Sequence, residues 1–239
     1  LVRGIAASVL GLLAAAGTAA AGNLSVAPVR ADLGSAQGTA IITVHNLDDA
    51  PIVVQAHPVT WSQPGGTDRL EDTRELLVTP PLFTIPARGQ QVLRVALLRK
   101  PDPSRELDYR LVLTEVPPPP DPEFKGLRLA LRITLPVFVA AETRTAPDVA
   151  WRHSWLPDGA LEIDADNRGT AHIQVIDFDV QSDPQAPQPL HGDARYLLPG
   201  TTAHWQLRAG AGFPRVSHLI LQGHSDVGDF KVASDSASP

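Results

Sequence analysis

The chain has no cysteine and no methionine among its 239 residues. No cysteine means no disulfide, no thiolate nucleophile and no thiolate-bound zinc, so stability must come from burial alone, which a chain of this length can supply. Aromatics make up only 5 % of the sequence, with four tryptophans and two tyrosines. That is little material for an aromatic platform of the kind that grips sugars. The net charge of −6 provides no basic field for nucleic acid. No P-loop, Gly-x-Gly-x-x-Gly fingerprint or Gly-x-Ser-x-Gly elbow occurs, so neither a nucleotide nor a hydrolase site is expected. Of the eight histidines, no two lie two or four positions apart, as a local zinc pair would require. Asp164/Asp166 and Asp177/Asp179 are weak candidates for a calcium site; no catalytic residue, cofactor or metal is expected. Long stretches of 3.6-residue periodicity are also missing, which excludes a helical domain.

What is present is β-type alternation punctuated by 23 prolines and 18 glycines. The opening "LVRGIAASVLGLLAAAGTAAAG" has one cation (Arg3), an apolar run and small residues at its end, the pattern of a signal peptide cleaved after Ala21. From Leu24 to Ala141 strand-like runs follow one another: "LSVAPVRADL", "GTAIITVHNL", "IVVQAHPVTW", "LLVTPPLFTI", "QQVLRVALLR", "LDYRLVLTEV" and "GLRLALRITLPVFV". Gly, Pro, Asp or Asn lies in each separator, as turns demand. "AETRTAPDV" (141–149) reads as a hinge, and a second series follows: "GALEIDADN", "AHIQVIDFDV", "ARYLLPG", "TAHWQLRA" and "SHLILQGHSDVGDF". The polar tail "VASDSASP" reads as frayed. The expected architecture is all-β: a signal peptide at 1–21, then immunoglobulin-like sandwiches at 22–141 and 142–239. In "TPPLFTIPARG" Leu82 and Ile85 are expected inside and Gly89 at a tight turn. Trp61 and Tyr109 are expected to pack in the core or at its rim.

"KGLRLALRITLPVFVA" (125–140) raises the question of function. Leu127, Leu129, Leu131, Ile133 and Leu135 occupy alternate positions, with Arg128, Ala130, Arg132 and Thr134 between them. The alternation makes one aliphatic face, and leaves open whether that face is core or is kept for another chain. The ordered set "VHNLDDAPIVVQ", "LLVTPPLFTIPARGQQVLRV", "LDYRLVLTEVPP" and "LRLALRITLPVFV", with "NRGTAHIQV" and "YLLPGTTAHWQL" in the second half, resembles the periplasmic chaperones of chaperone–usher pili. "ITLPVFV" is closer to their archaic, spore-coat-type branch. The resemblance implies that "GLRLALRIT" is lent to a pilus subunit lacking its last strand, with Leu127, Leu129, Leu131 and Ile133 filling the subunit's groove. Leu135, Val137 and Val139 would stay in the chaperone's own core.

The same resemblance implies a cation pair that fixes the subunit's C-terminal carboxylate. "VAPVRADL" aligns Arg30 with the first anchor. The second is ordinarily a Lys at the position of Thr134, so Arg132 or Arg110 is expected to take its place. Interdomain ion pairs are implied as well, with Glu115 and Asp226 as the acids; the cation expected near Phe138 is missing and Arg144 is the nearest substitute. The implied partners are a pilus or fimbrial subunit and an outer-membrane usher, in the periplasm, with no nucleic acid and no nucleotide; an exposed donor strand also allows weak self-association. Two other readings compete: a structural pilus subunit or adhesin, and an exported carbohydrate-binding module.

Overall fold

The computed structural model describes residues 20–21, 23–34, 37–119, 128–182, 189–210 and 213–236. The expected groove filler Leu127 and most of the expected signal peptide lie outside the described residues.

Side chains alternate between interior and solvent along the strands, as pleating dictates. Thr39–Asn46 turns Ala40, Ile42, Val44 and Asn46 inward and leaves Thr39 and Ile41 exposed. One sheet of the first domain runs Leu24–Ala27, Thr39–Asn46, Gln90–Leu97, Leu76–Thr79. The facing sheet runs Ala31–Leu33, Arg132–Val139, Leu107–Val116, Ile52–Ser62, Arg69–Asp72, and Leu82–Ile85 also pairs with Ile52–Ser62. Ile42, Val44, Leu93 and Val95 meet Val54, Leu111, Leu113, Leu135 and Val137 between the sheets.

The second domain is one hydrogen-bonded path folded over its own core: Leu190–Gly192, Ile173–Ser182, His218–Ser225, Gly228–Ser236, Val149–Trp155, Leu161–Asn167, Thr202–Leu207. Arg195–Leu197 also pairs with Ile173–Ser182. Trp205, Phe178, Leu161, Ile163, Leu197, Leu219 and Leu221 fill its interior. The architecture is therefore the expected pair of immunoglobulin-like sandwiches. Its only helical turn among the described residues is the 3₁₀ turn Pro64–Gly66.

A buried asparagine closes the same kind of corner in each domain. Asn46 Nδ2 donates to the carbonyls of Ala50, Ile85 and Pro86 at 2.8–3.3 Å. Asn167 Nδ2 donates to those of Ala171, Leu197 and Leu198 at 2.8–3.3 Å. Each side-chain oxygen accepts a nearby backbone N–H, so no buried amide group is wasted.

Several local expectations are corrected. "LLVTPPLFTI" is not one strand: Leu76–Thr79 and Leu82–Ile85 belong to opposite sheets. Pro80 and Pro81, which have no N–H to give a ladder, lie where the chain crosses over. "LSVAPVRADL" switches sheets in the same way at Pro28, which leaves Arg30 in a bend rather than on a strand. Leu82 is 60 % exposed, while Phe83 and Ile85 are buried. Residues three apart on a strand face opposite ways, so Leu82 and Ile85 could not both point inward. The tail is not frayed up to Ser236, because Gly228–Ser236 is a full strand beside His218–Ser225. The hinge ends in another unforeseen strand, Val149–Trp155.

Candidate functional site

The two faces of the strand Arg132–Val139 have separate tasks. Leu135, Val137 and Val139 point into the first sandwich. The opposite face carries Thr134, Pro136 and Phe138, beside Val112, Arg110 and Asp108 of Leu107–Val116. This outer face looks across a cleft at the second domain. Phe138 and Trp61 bury against Leu198 and Tyr196 there.

Arg110 lies in this cleft. Its guanidinium carbon stands 3.5 Å from the centroid of the Trp61 ring and 5.4 Å from that of Tyr196. Its one acidic neighbour among the described residues is Asp68, at 3.8 Å. Burial lowers the Arg110 pKa, against the pull of Asp68 and Tyr196. A cation in this position gains from any further anion that reaches it. Beside it opens a cavity of about 440 Å³, lined by Trp61, Gln63, Asp68, Arg110, Arg195 and Tyr196. Gln63 stitches the cleft closed at one end: Nε2 donates to Tyr196 O, and Oε1 accepts from Leu198 N and Thr201 Oγ1, all at 3.0 Å.

Arg30 sits at another part of the same seam. Its Nε donates to Asp32 at 3.0 Å and its terminal nitrogen to Asp226 of the second domain at 2.9 Å. Asp226 also accepts the Gln174 N–H at 2.8 Å. Next to it the His172 ring stacks on Phe138, with centroids 3.4 Å apart and planes 7° from parallel. His172 Nδ1 lies 2.6 Å from Glu106 Oε1, which also accepts the His172 backbone N–H at 2.9 Å. On the other side of the ring Nε2 is 3.4 Å from Asp226, although not aligned for a hydrogen bond. Burial opposes the charged ring, yet Asp226 and Glu106 outweigh it and push the His172 pKa up to about 9. Burial likewise opposes ionised Asp226, but His172, the Gln174 N–H and Arg30 hold it below the usual carboxylate range. Burial and the adjoining Glu106 raise Asp108 to about 8, so it is protonated at neutral pH.

The residues singled out from the sequence are distributed as follows. Leu129 is 49 % exposed. Leu131 and Ile133 are half-buried, Ile133 against the first core. The strand pairs with Ala31–Leu33 only through Val137–Val139. Residues 132–136 therefore have a neighbour on one edge alone among the described residues. Pro136, which has no N–H, is the last position before that second pairing begins. Farther along, Arg128–Leu129 runs parallel to Ala20–Ala21. Arg132 is exposed and opposite Thr114. Glu115 is not brought to the domain seam. It accepts the Leu131 N–H at 3.2 Å and donates its own N–H to Leu131 O at 2.9 Å. It stands at the far end of the strand from Glu106, about 30 Å away at the rise of a β-strand. Asp226 is brought to the seam, and Arg144 is exposed. The positive charge missing at Phe138 arrives from the second domain, as the His172 ring stacked upon it.

Glu106, Asp108, Gln63 and His172 were not singled out. His172 and Glu106 are 66 positions apart, so no local pattern joins them. The one visible signal was "RELD", two acids at alternate positions where a strand begins. Glu106, Asp108 and His172 bring ligand-type atoms within 4.8 Å of one another, as do Glu162, Asp164 and His204. In each group an imidazole Nδ1 already sits 2.6–2.7 Å from a carboxylate. Two ligands of one tetrahedral ion stand farther apart, at about 3 Å or more. Hydrogen bonds to the imidazoles account for the closeness of both groups.

A family model described as "Pili and flagellar-assembly chaperone, PapD N-terminal domain" matches residues 23–143. No curated protein matches the sequence. Among solved structures, a chain of the CsuC–CsuE chaperone–tip adhesion subunit pre-assembly complex, from the archaic Csu pili of Acinetobacter baumannii, is 16 % identical. It superposes with a TM-score of 0.68 over 90 % of this chain and 100 % of its own. The E. coli chaperone DraB is 17 % identical, with a TM-score of 0.59 over 93 % of this chain and 99 % of its own. The Pseudomonas aeruginosa CupB2 chaperone is 17 % identical, with a TM-score of 0.58 over 87 % and 97 %. At these identities the likeness concerns the fold.

Proposed function

The chain belongs to the family of pili and flagellar-assembly chaperones, and from that premise we propose that it caps pilus subunits in the periplasm and passes them to an outer-membrane usher. Membership favours this reading over a structural subunit, an adhesin or a carbohydrate-binding module. The capping strand is 128–136, continued by Leu127. Its half-free edge over residues 132–136 is the observation that carries the proposal: among the described residues no strand lies beside that edge, so its backbone N–H and C=O groups are placed to pair with another sheet. Leu129 and Leu131 enter the subunit's groove beside that edge. Each aliphatic side chain moved from water into an apolar pocket contributes roughly 1.5–3 kcal/mol.

The subunit's terminal carboxylate docks in the cleft. Arg30 already serves two carboxylates, so it joins the anchor only by sharing or exchanging one of them. Arg110 is the better-placed anchor, because it has a cavity beside it and only a distant acid. Arg132, exposed on the same sheet face, steers the chain toward the donor edge. The fork of a guanidinium suits a carboxylate better than an ammonium does. The reading requires no cofactor and no chemical step, and Glu115 supports the donor strand through Leu131 instead of bridging the domains.

Co-expression with secreted subunits tests the proposal. Wild-type chaperone should keep a cognate subunit soluble in the periplasm, and Leu129→Asp should not, although its thermal midpoint matches wild type. A Leu129→Asp variant that still captures subunit would remove this strand as the donor.

A further inference from the structure

A histidine lies in the seam between the two sandwiches. The ring of His172 touches the first domain on one face and one edge, through Phe138 and Glu106, while its other edge faces Asp226. Asp226 in turn holds Arg30, which returns the contact to the first domain. The sequence of contacts Glu106–His172–Asp226–Arg30–Asp32 thus crosses the seam twice and ends beside the cleft. We propose that His172, as an imidazolium, is a positioning residue that sets how the two domains meet across the cleft, so that capture of a carboxylate-ended chain depends on its proton. This rests on the reading that the cleft receives a carboxylate.

Without its proton the ring loses one of its two N–H donors. Glu106 or Asp226 then faces an acceptor or an uncharged group, and both remain as nearby anions with less positive charge between them. The groups facing His172 from the surrounding elements are Glu106, Asp108, Asp226 and Arg30, with Asp32 and Arg105 behind them and Tyr196 at 6.1 Å between ring centroids. Arg30 keeps its charge throughout the accessible range. Asp108 acts in the same sense as His172: loss of its proton adds a second buried anion beside Glu106. Both groups hold their protons more tightly in the folded protein than in the unfolded one. The His172 contribution is therefore full below about 6.5 and is lost as pH rises to about 9, whereas that of Asp108 is full below about 3.8 and is lost by about 8.

The test uses the full mature chain, wild type and His172→Gln. The probe is a synthetic apolar–polar alternating peptide with a free C-terminal carboxylate, beside the same peptide amidated. Wild type should bind the free-acid peptide at least five-fold more weakly at pH 10 than at pH 7, and its thermal midpoint should fall over the same interval. His172→Gln should bind weakly at both pH values and lose most of the fall in midpoint. An equal fall in both proteins overturns the proposal. Equal wild-type affinity for acid and amide peptides overturns the carboxylate reading instead, while the pH dependence of the midpoint still reports on His172. Asp108→Asn separates the neighbouring carboxyl, and should retain the part of the profile that belongs to His172. Imidazole NMR of wild type needs no variant: a His172 midpoint near 9 supports the proposal, and one near 6.5 overturns it.

Discussion

Polar residues inside the sandwiches explain most of what the sequence concealed. His153 and Ser234 are both buried and bond to each other at 3.0 Å. In a local window each interrupts the apolar alternation, so "VAWRHSW" was not expected as a strand and "VASDS" read as part of a tail. Only the pairing of strands distant in sequence makes the two residues a legitimate interior contact. Leu82 was misplaced for a simpler reason, a parity error within one strand. Asn46 and Asn167 were likewise unremarked within "VHNLDDAP" and "ADNRGTA". Replacing either with Ala should destabilise its domain by about 1–3 kcal/mol, since several buried backbone carbonyls would lose their donor; urea unfolding measures the loss. Arg110→Lys should capture subunit less well than wild type although the charge is kept. A lysine cannot stack on Trp61 and fork to a carboxylate together, and a quantitative pull-down would detect the difference.

At the scale of the element, the regular strands were easy to read because alternation and proline punctuation are local. "LRLALRIT" is the donor that the family resemblance implies, but how its side chains divide between core and solvent needed burial. Leu129 is exposed, while Ile133 packs on the first core. Opposite outcomes should follow. Leu129→Asp is expected to leave thermal stability within about 0.5 kcal/mol of wild type, as a surface change does. Ile133→Asp should cost several times that, roughly 2 kcal/mol or more, because a carboxylate would enter the edge of an apolar cluster. Paired melting curves of the two variants would check this division.

For the whole molecule, the seam joins an apolar cluster of Trp61, Phe138, Leu198 and Tyr196 to hydrogen bonds and ion pairs, where each core is mainly apolar. Gln63 makes three interdomain hydrogen bonds through one side chain. Gln63→Ala should leave both sandwiches folded but ease their separation, seen as faster proteolysis across 140–148 and a larger radius in small-angle scattering. The ionic part of the seam was half legible. Arg30 and Asp226 were identified as separate candidates, whereas their mutual contact, 196 positions apart, was not. Glu115 was expected at the seam because the resemblance implies an acid on this strand, whereas the strand's other end, with Glu106, faces the second domain.

The strand Arg132–Val139 is only eight residues long, and all of it is committed. Leu135, Val137 and Val139 anchor one sandwich, Phe138 meets the imidazole of the other, and in the proposed function the opening half offers its edge to a guest. These duties share one rigid ribbon, so a guest that tugs or twists the open half moves Phe138 like the short arm of a lever. On the proposed function, loading and the angle between the two sandwiches are thereby geared together.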